Sequence, residues 1–277
     1  MLLAMIQDDI VDPEKLSPAY IDRGTFFGDG VYEVLRSYNG KIFALDDHLA
    51  RFKRSMAEIE LAGLDIETVR KRVLKAFDTA KISNAKIYFH LTRGSAERNH
   101  NWPADLKPNF FLTVSTINEN DDRKTAGVSV CTYPDLRWKR CDIKSLNLLP
   151  NVMAHQHADK KGCFDAILYN DDGFITEGSS SAFFQIFDKK LTTTPLAKNI
   201  LPSISRKYVF MAAKNAGVEI AERQITPEQA KKADELFVAV TTRDILPVVS
   251  FDGVSIGKGV PGEITKQLIE EFSKFTR

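Results

Sequence analysis

Cysteine is scarce in this chain: three residues, Cys131, Cys141 and Cys163, in a length of 277. Their number and scatter exclude a disulfide framework or a zinc knuckle as the source of stability, and an odd count fits a reducing, cytoplasmic compartment. A charge excess is missing too, because 38 basic residues face 37 acidic ones, for a formal net charge of +1. That balance removes the electrostatic reason to expect nucleic acid or an anionic membrane as partner. The densest basic run, Arg70-Lys71-Arg72 with Lys75, falls in a helical pattern and reads as a solvated face. Long apolar runs, internal repeats and low-complexity tracts are absent. The opening Met1-Leu2-Leu3-Ala4-Met5-Ile6 soon meets Asp8 and Asp9, so it reads as a first strand, not as a secretion signal or membrane span.

What is present is an ordinary globular composition, 43% hydrophobic and 27% charged, at a length that favours two domains. The spacing of Leu49, Phe52, Met56 and Ile59 predicts a helix that opens at Asp46-Asp47 and stops at Gly63. Val69, Val73, Phe77 and Ala80 predict a second. Strands are expected over 86–92, 110–116, 128–133, 165–169, 182–187 and 235–240, and further helices over 151–161, 205–216 and 263–275. The polar run from Ile117 to Lys124 is the clearest break. It divides the chain into an N-terminal α+β domain (1–117), a linker (118–124) and a C-terminal domain (125–277). Strands outnumber the helices between them, which favours an α+β class over a regular βαβ wheel.

Several segments admit a chemical reading beside a bland one. Lys144 has apolar neighbours, Ile143 and Leu146, so it is either an ordinary surface lysine or a desolvated, nucleophilic amine. Thr176-Glu177-Gly178-Ser179-Ser180-Ser181 is either a serine-rich turn or a polar cradle for an aromatic cofactor, with Glu177 on a ring nitrogen. The turn before Ile204-Ser205 opens a helix whose free N–H groups could take a phosphate, as nearly every helix start could. Thr241-Thr242 offers hydroxyl donors or plain strand propensity. Arg98 and His100 could clamp a carboxylate, or lie in a solvated loop. His155 and His157, two apart on a helix, share no face, so they read as surface residues and no metal site is expected. His90 reads as a satisfied core or interface histidine. Gly28-Asp29-Gly30 lacks the third glycine of a dinucleotide fingerprint.

The order of these segments resembles a known family. Asp22-Arg23-Gly24, Phe27-Gly28-Asp29-Gly30-Val31-Tyr32-Glu33, His48-Leu49-x-Arg51, Arg140-Cys141-Asp142-Ile143-Lys144-Ser145-Leu146-Asn147 and Thr176–Ser181 together are similar to the class IV (fold type IV) pyridoxal-phosphate aminotransferases. Within that family the chain resembles most the bacterial D-amino-acid aminotransferases. The resemblance implies a two-domain fold, with a smaller N-terminal α/β domain and a larger C-terminal pseudo-barrel domain. It implies pyridoxal 5′-phosphate as cofactor, carried by Lys144, with Glu177 at the pyridine nitrogen and Arg137 supporting Glu177. Arg51, the backbone at Ile204 and Ser205, and Thr241 would hold the phosphate. Ser179, Ser180 and Ser181 would line the cofactor site. Tyr32, Arg98, His100 and Thr242 would bind substrate, with Arg98 and His100 supplied by the partner of a homodimer.

The implied reaction is ping-pong amino transfer between a D-amino acid such as D-alanine and a 2-oxo acid, 2-oxoglutarate or pyruvate. Branched-chain L-amino-acid transaminases, (R)-amine transaminases and aminodeoxychorismate lyases share the scaffold, and a non-catalytic binding protein is the alternative from another class. Two departures from the family pattern stand out. Ser203 replaces a glycine in the phosphate turn, and Glu97 beside Arg98 stands where relatives often carry proline.

Overall fold

A computed structural model describes residues 3–117 and 122–277 of the chain. It opens with a hairpin, β1 (Ala4–Ile6) and β2 (Asp9–Val11), followed by a short helix α1 (Arg23–Phe27). Then come β3 (Gly30–Tyr38), β4 (Lys41–Ile42), α2 (Leu45–Glu58), α3 (Ile66–Ala80), β5 (Ala85–Thr92) and β6 (Asn109–Thr116). These form an antiparallel sheet in the order β4-β3-β5-β6. The expected helical stripes cover one face of it: Leu49, Phe52 and Met56 from α2, with Val69, Val73 and Phe77 from α3, pack on Val31, Leu35, Ile87, Phe89 and Leu91. Asp65 caps α3 by accepting from the Thr68 N–H at 2.9 Å. The first helix stops at Glu58, short of Gly63, and Ile59 serves as its C-cap.

The C-terminal half contains α4 (Arg123–Ala126), β7 (Val128–Pro134), α5 (Leu149–Lys160), β8 (Asp165–Tyr169), β9 (Ile175–Gly178), β10 (Ala182–Phe187) and β11 (Lys190–Thr193). It continues with α6 (Ile204–Asn215), β12 (Ile220–Glu222), α7 (Pro227–Ala230), β13 (Glu235–Val240), β14 (Asp244–Phe251), β15 (Val254–Ser255) and α8 (Glu263–Ser273). Nine strands make one mixed sheet in the order β12-β11-β10-β13-β14-β7-β8-β9, with β15 on the side of β14. Both of its faces are buried: α6 and α8 pack on Phe184, Phe237 and Ile245, while Phe183, Val238 and Leu246 point into a second cluster. That is why β10 and β13 read as continuous apolar runs rather than alternating ones.

Of the expected linker, residues 118–121 lie outside the described residues, Asp122 stands at the N-cap of the helical turn α4, and Arg123 and Lys124 are its first two residues. The two halves interlock. Ile143 packs in the N-terminal core, and Phe43 packs on the C-terminal cluster of Phe272 and Tyr208. Among the described residues no helix is long and apolar enough to cross a membrane.

Candidate active site

A cavity of about 600 Å³ opens between the two sheets. Lys144 stands in its wall because the segment around it adds itself to an open edge of β3. β4 covers only Ser37 and Tyr38 of that edge, which leaves the other end of β3 exposed. There the Tyr32 N–H donates to the Lys144 carbonyl at 3.0 Å, and the Leu146 N–H donates to the Gly30 carbonyl at 3.0 Å. Gly30 is required for this approach, since a Cβ there would lie 2.6 Å from the Leu91 carbonyl oxygen and 2.8 Å from Leu146 Cδ1. The Lys144 Nζ then lies 3.2 Å from the Tyr32 hydroxyl and 4.3 Å from the centre of its ring.

One end of the cavity is an anion site by construction. Ser203 caps α6, in extended backbone (φ −65°, ψ 132°), and accepts from the Arg206 N–H at 3.2 Å. The serine therefore needs no left-handed conformation here and adds a cap that glycine would lack. Among the described residues no acceptor faces the N–H groups of Ile204 and Ser205, as expected for the first turn of a helix. Ser203 and Leu201 line the cavity, whereas Ile204 and Ser205, the first residues of α6, are buried and are not among its lining residues. Thr241, in the turn that follows β13, lines the same cavity, and among the described residues its hydroxyl has no hydrogen-bond partner.

Arg51 projects here from α2, held by Glu33, which is fully buried on β3. Arg51 Nε and Nη2 each donate to a Glu33 oxygen at 2.7 Å, Nη1 reaches the Pro202 carbonyl at 3.2 Å, and His48 Nδ1 lies 2.7 Å from Glu33 Oε2. Glu33 and His48 belong to the motifs that carry the family resemblance, yet nothing in the sequence shows that their work is to aim Arg51. Burial raises the Glu33 pKa, but the Arg51 guanidinium and His48 outweigh it and hold the carboxyl at about 2. Burial also pushes the His48 imidazole down, so the ring is neutral, donates through Nδ1 and leaves Nε2 without a partner.

A two-part acid sensitivity follows. Below the ordinary histidine value of 6.5, the unfolded chain protonates His48 more readily than the fold does, so stability declines as pH falls. Between the ordinary carboxylate value of 4.5 and about 2, the depressed Glu33 pKa adds a second loss of roughly 3 kcal/mol. Denaturant melts from pH 8 to pH 3 should show the first limb, and His48→Gln should flatten it. An unchanged slope between pH 7 and pH 5 in that variant would remove His48 as its source.

Elsewhere in the cavity wall, Glu177 on β9 is buried and meets Arg137. Arg137 Nη1 donates to Glu177 Oε1 at 2.5 Å, while Nε and Nη2 bind the two Asp135 oxygens at 2.8 Å each. The Leu201 N–H also donates to Oε1, at 3.1 Å. Both protein bonds fall on Oε1, leaving Oε2 to a ligand. Burial raises the Glu177 pKa despite Arg137, so this carboxyl holds a proton more readily than a free one.

Ser179, Ser180 and Ser181 line the cavity floor, but their hydroxyl hydrogens point elsewhere. All three donate to Asp165, a fully buried carboxylate at the start of β8, at 2.5, 3.2 and 2.7 Å. Asn151 Nδ2 fixes the same turn through the Ser179 carbonyl at 2.8 Å. The serines thus offer a ligand lone pairs rather than donors. His155, expected on the surface, is exposed but also lines the cavity, with Nδ1 3.7 Å from Asp165. Tyr32 and Thr242 line the cavity as well, and the Thr242 carbonyl accepts from Arg36 Nη1 at 2.8 Å. His90 bonds the Tyr88 hydroxyl at 2.9 Å and stacks on Phe111.

Arg98 and His100 are not brought to Lys144 within one chain. Both are exposed and lie against Phe27; His100 lines a smaller neighbouring cavity with Arg23, Phe27 and Trp102. Their loop is held by Arg23, which donates to the carbonyls of Asn99 and His100 at 2.6 and 3.1 Å, and Asp29 pairs Arg23 with Arg93.

The chain matches the family profile for amino-transferase class IV over residues 30–251. It is 37% identical over 277 residues to the D-alanine aminotransferase of Staphylococcus haemolyticus, covering 99% of this chain and 98% of that one. To the D-alanine aminotransferase of Bacillus licheniformis it is 40% identical over 251 residues, covering 89% and 87%. The fold superimposes on the Escherichia coli branched-chain amino acid aminotransferase with a TM-score of 0.86 at 22% identity, covering 96% of this chain and 92% of that one. The PLP-bound form of a hypothetical aminotransferase from Mycobacterium tuberculosis gives a TM-score of 0.82 at 21% identity, covering 97% and 96%.

Proposed function

Since the chain belongs to the class IV aminotransferases, we propose that it moves the amino group of a D-amino acid, D-alanine foremost, to 2-oxoglutarate or pyruvate with pyridoxal 5′-phosphate as cofactor. The observation that carries this reading is one cavity holding three things: an amine at Lys144, a buried carboxylate with a spare oxygen at Glu177, and a cluster of anion donors around Arg51. These residues fit the cofactor. Glu177 Oε2 suits a protonated ring nitrogen, and the N–H groups of Ile204 and Ser205, Arg51 and the Thr241 hydroxyl suit the phosphate. When bound, the cofactor supplies an electron sink that makes a substrate's Cα–H acidic.

The chain's part is to place and move protons. Lys144 holds the cofactor, then takes the Cα proton on its freed Nζ and returns it, with the Tyr32 hydroxyl steadying the amine. Arg137 keeps Glu177 in place, so that Oε2 is positioned to accept from a protonated ring nitrogen. Leu201 and Thr242 close the walls.

D-amino-acid specificity is supported by relatives of 37 and 40% identity that carry the name D-alanine aminotransferase. It also agrees with an arginine and a histidine two apart, Arg98 and His100, as a carboxylate clamp. Because these two lie away from Lys144 in their own chain, the reading includes a homodimer in which each subunit completes the other's site. Three free cysteines agree with a reducing cytoplasm. Half-reactions without acceptor test the proposal: D-alanine should discharge the visible absorption of the lysine-bound cofactor quickly, and L-leucine and (R)-1-phenylethylamine slowly. Fast reaction with L-leucine alone would replace it with the branched-chain reading.

A further inference from the structure

The cavity lining contains four strongly basic side chains, Arg51, Lys86, Arg137 and Lys144, against a single carboxylate, Glu177. Two of the cations are neutralised: Arg51 by Glu33, and Arg137 by Asp135 and Glu177. Lys144 is committed to the cofactor in the function proposed above. Lys86 is left over, and among the described residues no carboxylate pairs with it.

Its position makes that isolation informative. In the β3–β5 register Lys86 stands directly opposite Arg36, so a like charge rather than an anion faces it across the strands. The nearby acid, Asp244, is already engaged: it accepts from Lys124 at 2.6 Å and from the Tyr38 hydroxyl, and lies 3.8 Å from Arg36. Strand alternation puts Lys86 on the face that carries Tyr32 and Val34, and all three line the cavity. From the Tyr32 hydroxyl beside Lys144, the wall therefore runs through apolar Val34 to a free ammonium group. A short aliphatic chain ending in a negative charge matches that sequence of surfaces.

We propose that Lys86 recognises the distal carboxylate of dicarboxylic substrates and so sets a preference for D-glutamate and 2-oxoglutarate over their uncharged counterparts. The inference rests on the amino-transfer reading and names the substrate class that this wall selects. An exposed stem at a cavity mouth can move without disturbing the core, so substitution there is compatible with folding.

The test compares holoenzyme half-reactions with D-glutamate and D-alanine in the wild type, Lys86→Met and Lys86→Arg. Lys86→Met should raise the half-saturating D-glutamate concentration about tenfold, the scale of one lost charge-assisted hydrogen bond, and leave D-alanine within about twofold. Lys86→Arg should stay close to the wild type for both. Equal losses for the two substrates, or no change for D-glutamate, would overturn the assignment while leaving D-amino-acid transfer intact. A wild type that converts neither substrate overturns the functional reading and this inference with it.

Discussion

Lys144→Ala should lower turnover by about four orders of magnitude or more, because in the proposed function one side chain both holds the cofactor and carries the Cα proton. The fold should survive the change. What docks this segment is the Lys144 main chain, whose carbonyl accepts from the Tyr32 N–H of β3 and whose N–H donates to Ser55 Oγ of α2 at 3.2 Å, and neither bond needs the amine. Cofactor should still enter, since Arg51, Thr241 and the start of α6 are untouched, but borohydride should no longer fix it to the protein. The measurements are single-turnover rates with D-alanine and mass spectrometry after borohydride treatment. Label retained by the variant would reassign the anchor to another amine, with Lys86, the other lysine lining the cavity, as the first position to map.

Glu33→Leu should destabilise the protein by about 3–5 kcal/mol, the cost of stranding a buried cation. Arg51 makes two of its three side-chain bonds to Glu33, and His48 makes its recorded bond there as well. Truncation leaves a buried guanidinium with the Pro202 carbonyl and a neutral ring with no partner. Arg51 should then leave its place or draw in water, and the phosphate end of the cavity should loosen. Urea melts measure the first effect, and retention of cofactor through gel filtration the second. The double variant Glu33→Leu/Arg51→Leu should regain much of the stability but not the cofactor, because the penalty comes from an unpaired charge rather than from lost packing. A single variant within about 1 kcal/mol of the wild type would mean that the pair contributes nothing net to the fold.

Legibility in the sequence followed the physics of each element. β8, β10 and β13 fall where the apolar runs predict them, since strands buried on both faces leave an uninterrupted signal. β3, at nine residues, is not predicted by its pattern, because its buried positions include Glu33, Arg36 and Ser37. Polar residues at core positions break the alternation from which a strand is recognised, and they are there because β3 carries the site. β14 hides for a related reason, with Asp244 opening it and Pro247 inside it. The polar run before β7 conceals a turn of helix at α4, whose four residues are too few for a periodic signal.

The family and its cofactor are properties of ordered motifs, and the sequence by itself determined them; the same motifs single out Lys144 and Glu177 for the roles proposed above. Local spacing carries residue identity, and few other folds would place that lysine, that carboxylate and that arginine in that order. What only the tertiary structure decided is where charge and hydrogen bonds go. It turns three serine hydroxyls towards Asp165, makes Glu33 the partner that aims Arg51, and, among the described residues, leaves Lys86 in the cavity wall without a carboxylate partner. These are pairings between residues far apart in the chain. Their energies depend on burial and on which partners the fold brings within reach, and neither is written in any one segment.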